Sequence, residues 1–368
     1  MGLITHSFWH IGMGGDKTMN SKDFLRILSN GKGISGYEYL ISSEVIDAFN
    51  EYSDSVTTDK LGNVIAHKKG TGDGKIKILL AAHLDEIGFV VKDIEDNGFL
   101  RFANIGGFDP RTVLGQEVRI HGTEDISGVI GSKPPHLQTE EEQSKTIKLE
   151  DMIIDTGYNK EEVEKRVKIG DSITVKREML ELINNRVAGK AMDNRTGVVS
   201  LYEALKELSK LNHYADVYFV MTVQEEVTMA GGLTSAYRIN PDLGIAVDVG
   251  FGSTPDINKA STIDLGKGPG ITLGGNIHPG FRKKLTEVAT EYNIPYQTTV
   301  NPGPTGTDAR AIQISRDGIP ALVVSIPLRY MHTSVEVVDL KDIDYIGKLL
   351  AFFINSIKED ELEGLTCF

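Results

Sequence analysis

The sequence predicts an α/β protein: a mostly parallel sheet with helices on both faces, interrupted by a small inserted all-β, barrel-like domain. Three observations carry this. Nearly continuous apolar runs recur at Ile76–Ala82, Val217–Val223, Gly244–Val247 and Ala321–Ile326, the pattern of strands buried on both faces. Helical spacing of apolar residues separates them at Gly197–Lys210, Gly231–Tyr237 and Gly280–Tyr292, and such alternation builds a sheet covered by helices. Between about Gly88 and Arg186 the texture changes to short alternating strands (FVVKDI, GFLRFANI, EVRIHG, SGVIGS) divided by glycine turns, as in small barrels and sandwiches.

Taken in order, the chain opens with MGLITHSFWHIGMGGDKT, which has no charged segment followed by an apolar core and so does not read as a secretory signal. Residues 1–18 read as leader or appended sequence. Met19 and NSKDFLRILSN then read as a natural start, with Asn20 or Ser21 capping a first amphipathic helix over 21–31. A second helical pattern covers 42–53. GNVIAHKK and KIKILLAAH follow as strands around the turn GTGDGK. Residues 19–87 and 186–368 form the predicted catalytic α/β domain, and 88–185 the insertion. Within it, HLQTEEEQSKTIKLED reads as an acidic surface loop. There is no internal repeat and no low-complexity tract.

Bulk properties narrow the function. Of 368 residues, 40% are hydrophobic and 25% charged, ordinary for a globular enzyme of one large or two smaller domains. A net charge of -13 opposes binding to nucleic acid or to an anionic membrane surface. No run of about 18 apolar residues offers a transmembrane helix. The single cysteine, Cys367, permits no intrachain disulfide and suits a reducing cytoplasm.

Five metal-ligand-type side chains stand at strand ends or in glycine-flanked turns: His83 in ILLAAHLDEIG, Asp193 in AGKAMDNRTG, Glu226 in VYFVMTVQEEV, Asp248 in LGIAVDVG and His332 in IPLRYMHTSVE. Ligands of open α/β sheets gather at the carboxyl ends of strands. Two imidazoles and three carboxylates satisfy two divalent cations if one carboxylate bridges, leaving positions open for water. Asp193, between Gly189 and Gly197, suits the bridge; it would also serve as a helix cap. Glu225, beside Glu226, is left off the metals as a general base. Asp85 falls on the same face as His83 and is placed to hold its far ring nitrogen. The ligand types suit Zn²⁺ first, with Co²⁺ or Mn²⁺ as alternatives. In NPGPTGTDARA, Thr307 and Asp308 either line a substrate pocket or cap the helix at Ala309. Arg329 either binds an acidic substrate group or makes a structural salt bridge.

In AHLDEIG, KAMDNRTG, TVQEEV, AVDVG, TGTDARAI and RYMHTSVEVVDL, the chain resembles the tetrahedral (TET) aminopeptidases, peptidase family M42, from Met19 to about Lys358. It departs from many relatives at MAGG after QEEV. The resemblance implies a dinuclear zinc exopeptidase fold, with one metal held by His83, Asp193 and Asp248 and the other by Asp193, Glu226 and His332. It implies Glu225 as general base, Asp85 as the residue orienting His83, and the inserted β domain as a dimerisation domain of cytoplasmic dimers and dodecamers. The expected activity is removal of N-terminal residues from peptides with a free amino terminus. The alternative is a related dinuclear amidohydrolase, a carboxypeptidase or deacylase. A glycosidase would need two carboxylates about a sugar and no metals.

Overall fold

The apolar runs lie side by side in the middle of one eight-stranded sheet, seen in a computed structural model that describes residues 19–255, 257–358 and 362. The expectations for residues 1–18 and for Cys367 fall outside the described residues. The sheet runs in the order Ser55–Thr58, Val64–Lys68, Asp216–Thr222, Lys77–His83, Leu243–Phe251, Ala321–Leu328, Gly270–Gly274 and Gln297–Asn301. Its four central strands are mutually parallel. Antiparallel partners flank them on both sides: Val64–Lys68 on Asp216–Thr222, and Gly270–Gly274 on Ala321–Leu328.

Burial explains the composition of the central strands. All eight residues of Ala321–Leu328 are buried, as are Ile78–His83 within Lys77–His83. A strand covered on both faces gains from aliphatic side chains at every position, not at alternate ones. On one face lie Met192–Leu208 and the long C-terminal helix Leu340–Ser356, which pack on each other through Val198, Leu201, Leu205, Ile346 and Leu350. On the other, Ala230–Ile239 and Asp308–Gln313 cover Leu79, Ala81 and Val220 with Ala236 and Ile312.

The short alternating strands close on themselves. Gly88–Ile94, Leu100–Ile105, Ile153–Asp155, Asp125–Gly131, Glu117–His121 and Ser172–Val175 form a closed barrel in that order. Its interior is a separate core of Phe89, Phe102, Val118, Ile120, Ile130, Ile154 and Ile173. The burial of Asp125–Gly131 alternates strictly, as period-2 patterning requires. The acidic segment read as a loop carries a short helix, Glu140–Gln143, closed by a capping box between Thr139 and Glu142.

A three-stranded sheet, Leu180–Glu181, Arg186–Gly189 and Glu336–Asp339, was not legible beforehand. It pairs the strand entering the AGKAMDNRTG motif with the strand leaving the MHTS motif, with Gly189 opposite Glu336. This junction sets the positions of Asp193 and His332. Among the described residues no helix is long and apolar enough to cross a membrane.

Candidate metal centre

His83, Asp193, Glu225, Glu226, Asp248 and His332 come together on the wall of one cleft of about 990 Å³. His83 is the last residue of its strand. Its Nδ1 lies 3.0 Å from the main-chain oxygen of Asp85, and its Nε2 points at Asp193 Oδ1, 3.1 Å away. The other Asp193 oxygen, Oδ2, faces His332 Nε2 at 3.4 Å, and the same nitrogen lies 3.4 Å from Glu226 Oε2. Asp248 Oδ1 stands 3.8 Å from His83 Nε2. Two groups result, each with its ligand atoms within 4.8 Å of one another: His83, Asp193 and Asp248, then Asp193, Glu226 and His332. Asp193 belongs to both, with one oxygen in each.

Local structure explains how Asp193 is free for this. The regular helix begins after it, because Asp193 and Asn194 have non-helical backbone angles. Asn194 takes the capping role: its Oδ1 accepts from Gly197 N at 3.1 Å while its Nδ2 donates to Val247 O at 2.7 Å. Arg195 follows, fully buried, donating to the carbonyls of Leu28, Leu84 and Gly33 and lying 3.2 Å from Glu86. Asp248 differs from expectation in its setting. Its strand does not end at Val247 but runs on to Phe251, so Asp248 sits within it. The neighbouring strand pairs with it only as far as Ala246, which opens the sheet where the Asp248 carboxylate emerges.

The Asp85 carboxylate does more than face His83. Its Oδ1 is 3.6 Å from His83 Nδ1, beyond hydrogen-bonding distance. It accepts instead from the main-chain N–H groups of Glu225 at 3.1 Å and Glu226 at 3.2 Å, and from the Ser35 hydroxyl. Glu38 extends this support by accepting from Gln224 N at 2.9 Å. Two buried carboxylates thus hold the turn that presents Glu225 and Glu226, a turn entered through left-handed backbone at Gln224 (φ 59°). On the opposite side, Glu336 accepts from Asp193 N at 3.1 Å and His332 N at 2.8 Å. Ser35 and Glu38 fall in no motif of the sequence, and Asn194 and Glu336, though inside KAMDNRTG and RYMHTSVEVVDL, gave no sign of their main-chain partners.

The electrostatics are those of negative charge crowded out of water. Burial, with Asp248, Asp308 and Glu226 nearby, pushes Glu225 up to about 10. Burial raises Glu226 and carries Asp248 well above the carboxylate range. Hydrogen bonding to Asp193 and Glu226 drives His332 up to about 11. Burial opposes the charge on His83, but Asp193, Asp85 and Glu225 outweigh it and raise the imidazole well above its ordinary value. Glu225 Oε1 is buried with no hydrogen-bond partner among the described residues. Carboxylates at this density need protons or cations to neutralise them.

The remaining candidates divide. Thr307 lines the cleft, where its hydroxyl donates to Thr305 Oγ1 at 3.1 Å. Asp308 is buried behind it. One oxygen accepts from Thr222 Oγ1 at 2.5 Å, and the other faces Gly232, where a β-carbon would stand only 2.4 Å away. A β-carbon on Gly231 would come within 2.5 Å of Val223 main-chain atoms, so the two glycines of MAGG let this helix close on the sheet. Arg329 is not among the lining residues; its Nε donates to Ser253 O at 2.6 Å.

A doubly covered, mostly parallel sheet with this cluster at its carboxyl edge, and a barrel inserted after the first histidine, is the architecture shared with the TET aminopeptidases. The chain belongs to the M42 peptidase family: the family model described as M42 glutamyl aminopeptidase matches residues 62–349. The lysyl aminopeptidase of Pyrococcus furiosus is 38% identical over 341 residues, which is 91% of this chain and 97% of that protein. An aminopeptidase from the archaeon Desulfurococcus kamchatkensis superposes with a TM-score of 0.88 at 37% identity, covering 95% of this chain and 98% of its own. The TET1 peptidase of Pyrococcus horikoshii, which can assemble into a tetrahedron or a large octahedral shell, superposes at 0.82 with 33% identity, covering 92% and 100%. These likenesses support an aminopeptidase.

Proposed function

We propose that the protein is a dinuclear metalloaminopeptidase that removes residues from the free N-terminus of peptides. The observation that carries this is Asp193, whose two oxygens face His83 and His332 separately. The donor set fits divalent cations. Two imidazoles and three carboxylates converge from buried or half-buried positions, and burial raises the proton affinity of Glu226 and Asp248, as expected of anionic groups awaiting positive charge. His83, Asp193 and Asp248 would hold one ion; Asp193, Glu226 and His332 the other. Bound there, such ions lower the pKa of water and polarise a carbonyl.

The chain's own residues do the rest. Glu225 stands off both groups, with Oε2 3.9 Å from His83 Nε2 and Oε1 unpaired in the cleft wall. Its carboxylate takes the proton of the attacking water, then returns it to the leaving amine. Asp85 and Glu38 hold the turn beneath it. His83, Asp193, Glu225 and Asp248 are buried in the cleft floor, which strengthens the interactions they make. Thr305 and Thr307 lie on the wall of the same cleft, where a bound peptide would pass them.

The barrel is proposed as a self-association domain, giving dimers and larger shells in the cytoplasm. Exposed Val129, Leu137 and Ile169 on this segment support an interface, as does the shell formed by the horikoshii relative. Light scattering coupled to size-exclusion chromatography tests it: a monomer at micromolar concentration rules it out.

The activity is tested with aminoacyl-p-nitroanilides of Glu, Asp, Leu, Lys and Ala, with and without chelator, and with Zn²⁺ or Co²⁺ restored. The expected result is chelator-sensitive cleavage of free-amine substrates and none of their N-acetylated forms. Cleavage only of blocked or C-terminal substrates transfers the assignment to an amidohydrolase.

A further inference from the structure

Glu336 lies within the MHTSVE motif yet belongs to neither candidate ligand group. It is 2% exposed, and its two oxygens are divided between two main-chain donors: Oε1 accepts from His332 N at 2.8 Å and Oε2 from Asp193 N at 3.1 Å. Those residues are 139 positions apart and share one group, Asp193–Glu226–His332. Both approach through backbone that side-chain-bearing residues adopt reluctantly, with φ 55° at Ala191, 62° at Tyr330 and 61° at His332. Such turns keep one shape only when their surroundings hold them. The small sheet brings Glu336 to the place, by pairing it with Gly189 just ahead of Ala191.

We propose that Glu336 is a positioning residue, a clasp that ties the backbone of the bridging ligand Asp193 to that of His332 and so presets one of the two metal sites. The inference rests on the proposed metal reading of Asp193 and His332. A carboxylate suits the task because it offers an acceptor oxygen at each end of its fork and no donor. A glutamine of the same shape must turn its amide nitrogen toward one of the two N–H groups, donor against donor, and keeps at most one bond. An aspartate keeps the charge but, shorter by a methylene, cannot span both. The pair of variants therefore separates positioning from simple attraction between a carboxylate and a cation.

The test is Co²⁺ titration of the chelated protein, followed by calorimetry and by the visible absorption of bound Co²⁺, with circular dichroism as the control for folding. Wild type is expected to take two equivalents; failure to do so refutes the metal reading itself, not the clasp. Given two equivalents, Glu336→Gln and Glu336→Asp are each expected to weaken one of them at least about tenfold and to alter its absorption band, as loss of a supporting partner does. Wild-type affinity in both variants, or in Glu336→Asp alone, overturns the clasp. A second measurement needs no variant. In the chelated wild-type protein, the amides of Asp193 and His332 are expected to exchange slowly with solvent deuterium, because the clasp precedes the metal. Fast exchange at both amides overturns the proposal even if neither variant folds.

Discussion

The carboxylate of Asp85 reaches the backbone of Glu225: Oδ1 accepts the Glu225 N–H at 3.1 Å, while the ring of His83 is held by the Asp85 main-chain oxygen. The aspartate after the histidine thus supports the proposed base as well as the first ligand. In Asp85→Asn, one side-chain oxygen replaces two acceptors that serve Glu225 N, Glu226 N and the Ser35 hydroxyl. We expect kcat to fall about 10²-fold with KM near wild type, the signature of misplaced catalytic groups. Steady-state kinetics check this; a rise in KM alone would assign Asp85 to substrate binding.

Glu225→Gln removes the proposed proton acceptor without changing either ligand group. Turnover is expected to drop by about 10³-fold or more, with metal content near two equivalents by elemental analysis. Activity retained within tenfold would sink the assignment of Glu225 as the base.

Arg195 makes a prediction about stability. Its guanidinium is fully buried among the carbonyls of Leu28, Leu84 and Gly33 and lies beside Glu86. Arg195→Met strands these acceptors, while Glu86 keeps Lys190 Nζ at 2.7 Å. The expected loss is about 3 kcal/mol, from buried carbonyls left without donors, read from chemical denaturation of the chelated protein. A loss under about 1 kcal/mol would mean that water reaches the site.

Asp342 offers a pH dependence away from the cluster. It accepts from Gly266 N and Gly268 N at 2.7 and 2.8 Å, and burial pushes its carboxyl up from 3.8 to about 6. The folded state therefore binds this proton more tightly than the unfolded chain. Stability from Asp342 is present in full below pH 3.8 and is lost as pH rises through about 6. That difference is worth on the order of 3 kcal/mol. In chelated protein, wild type should lose this much relative to Asp342→Asn between pH 4 and 7. Parallel stability curves for the two proteins would refute the shift.

Much of the architecture was legible from residues alone. Strands buried on both faces are written as unbroken aliphatic runs, and the barrel as period-2 alternation, because burial acts on every residue of such an element. The six charged groups of the cluster were also legible, since His and carboxylates at the ends of buried strands have few other uses. What could not be read is how those ends are held. That Asn194 and not Asp193 caps the helix depends on a carbonyl, Val247 O, from a strand more than fifty residues away. The partners of Asp85, Glu38 and Glu336 are main-chain N–H groups, which every non-proline residue carries and which leave no mark in a sequence. Side-chain identity therefore determined the chemistry available to this protein. Only the tertiary structure decided which backbone each buried carboxylate would grip, because hydrogen bonds to the main chain are set by position in space and not by residue type.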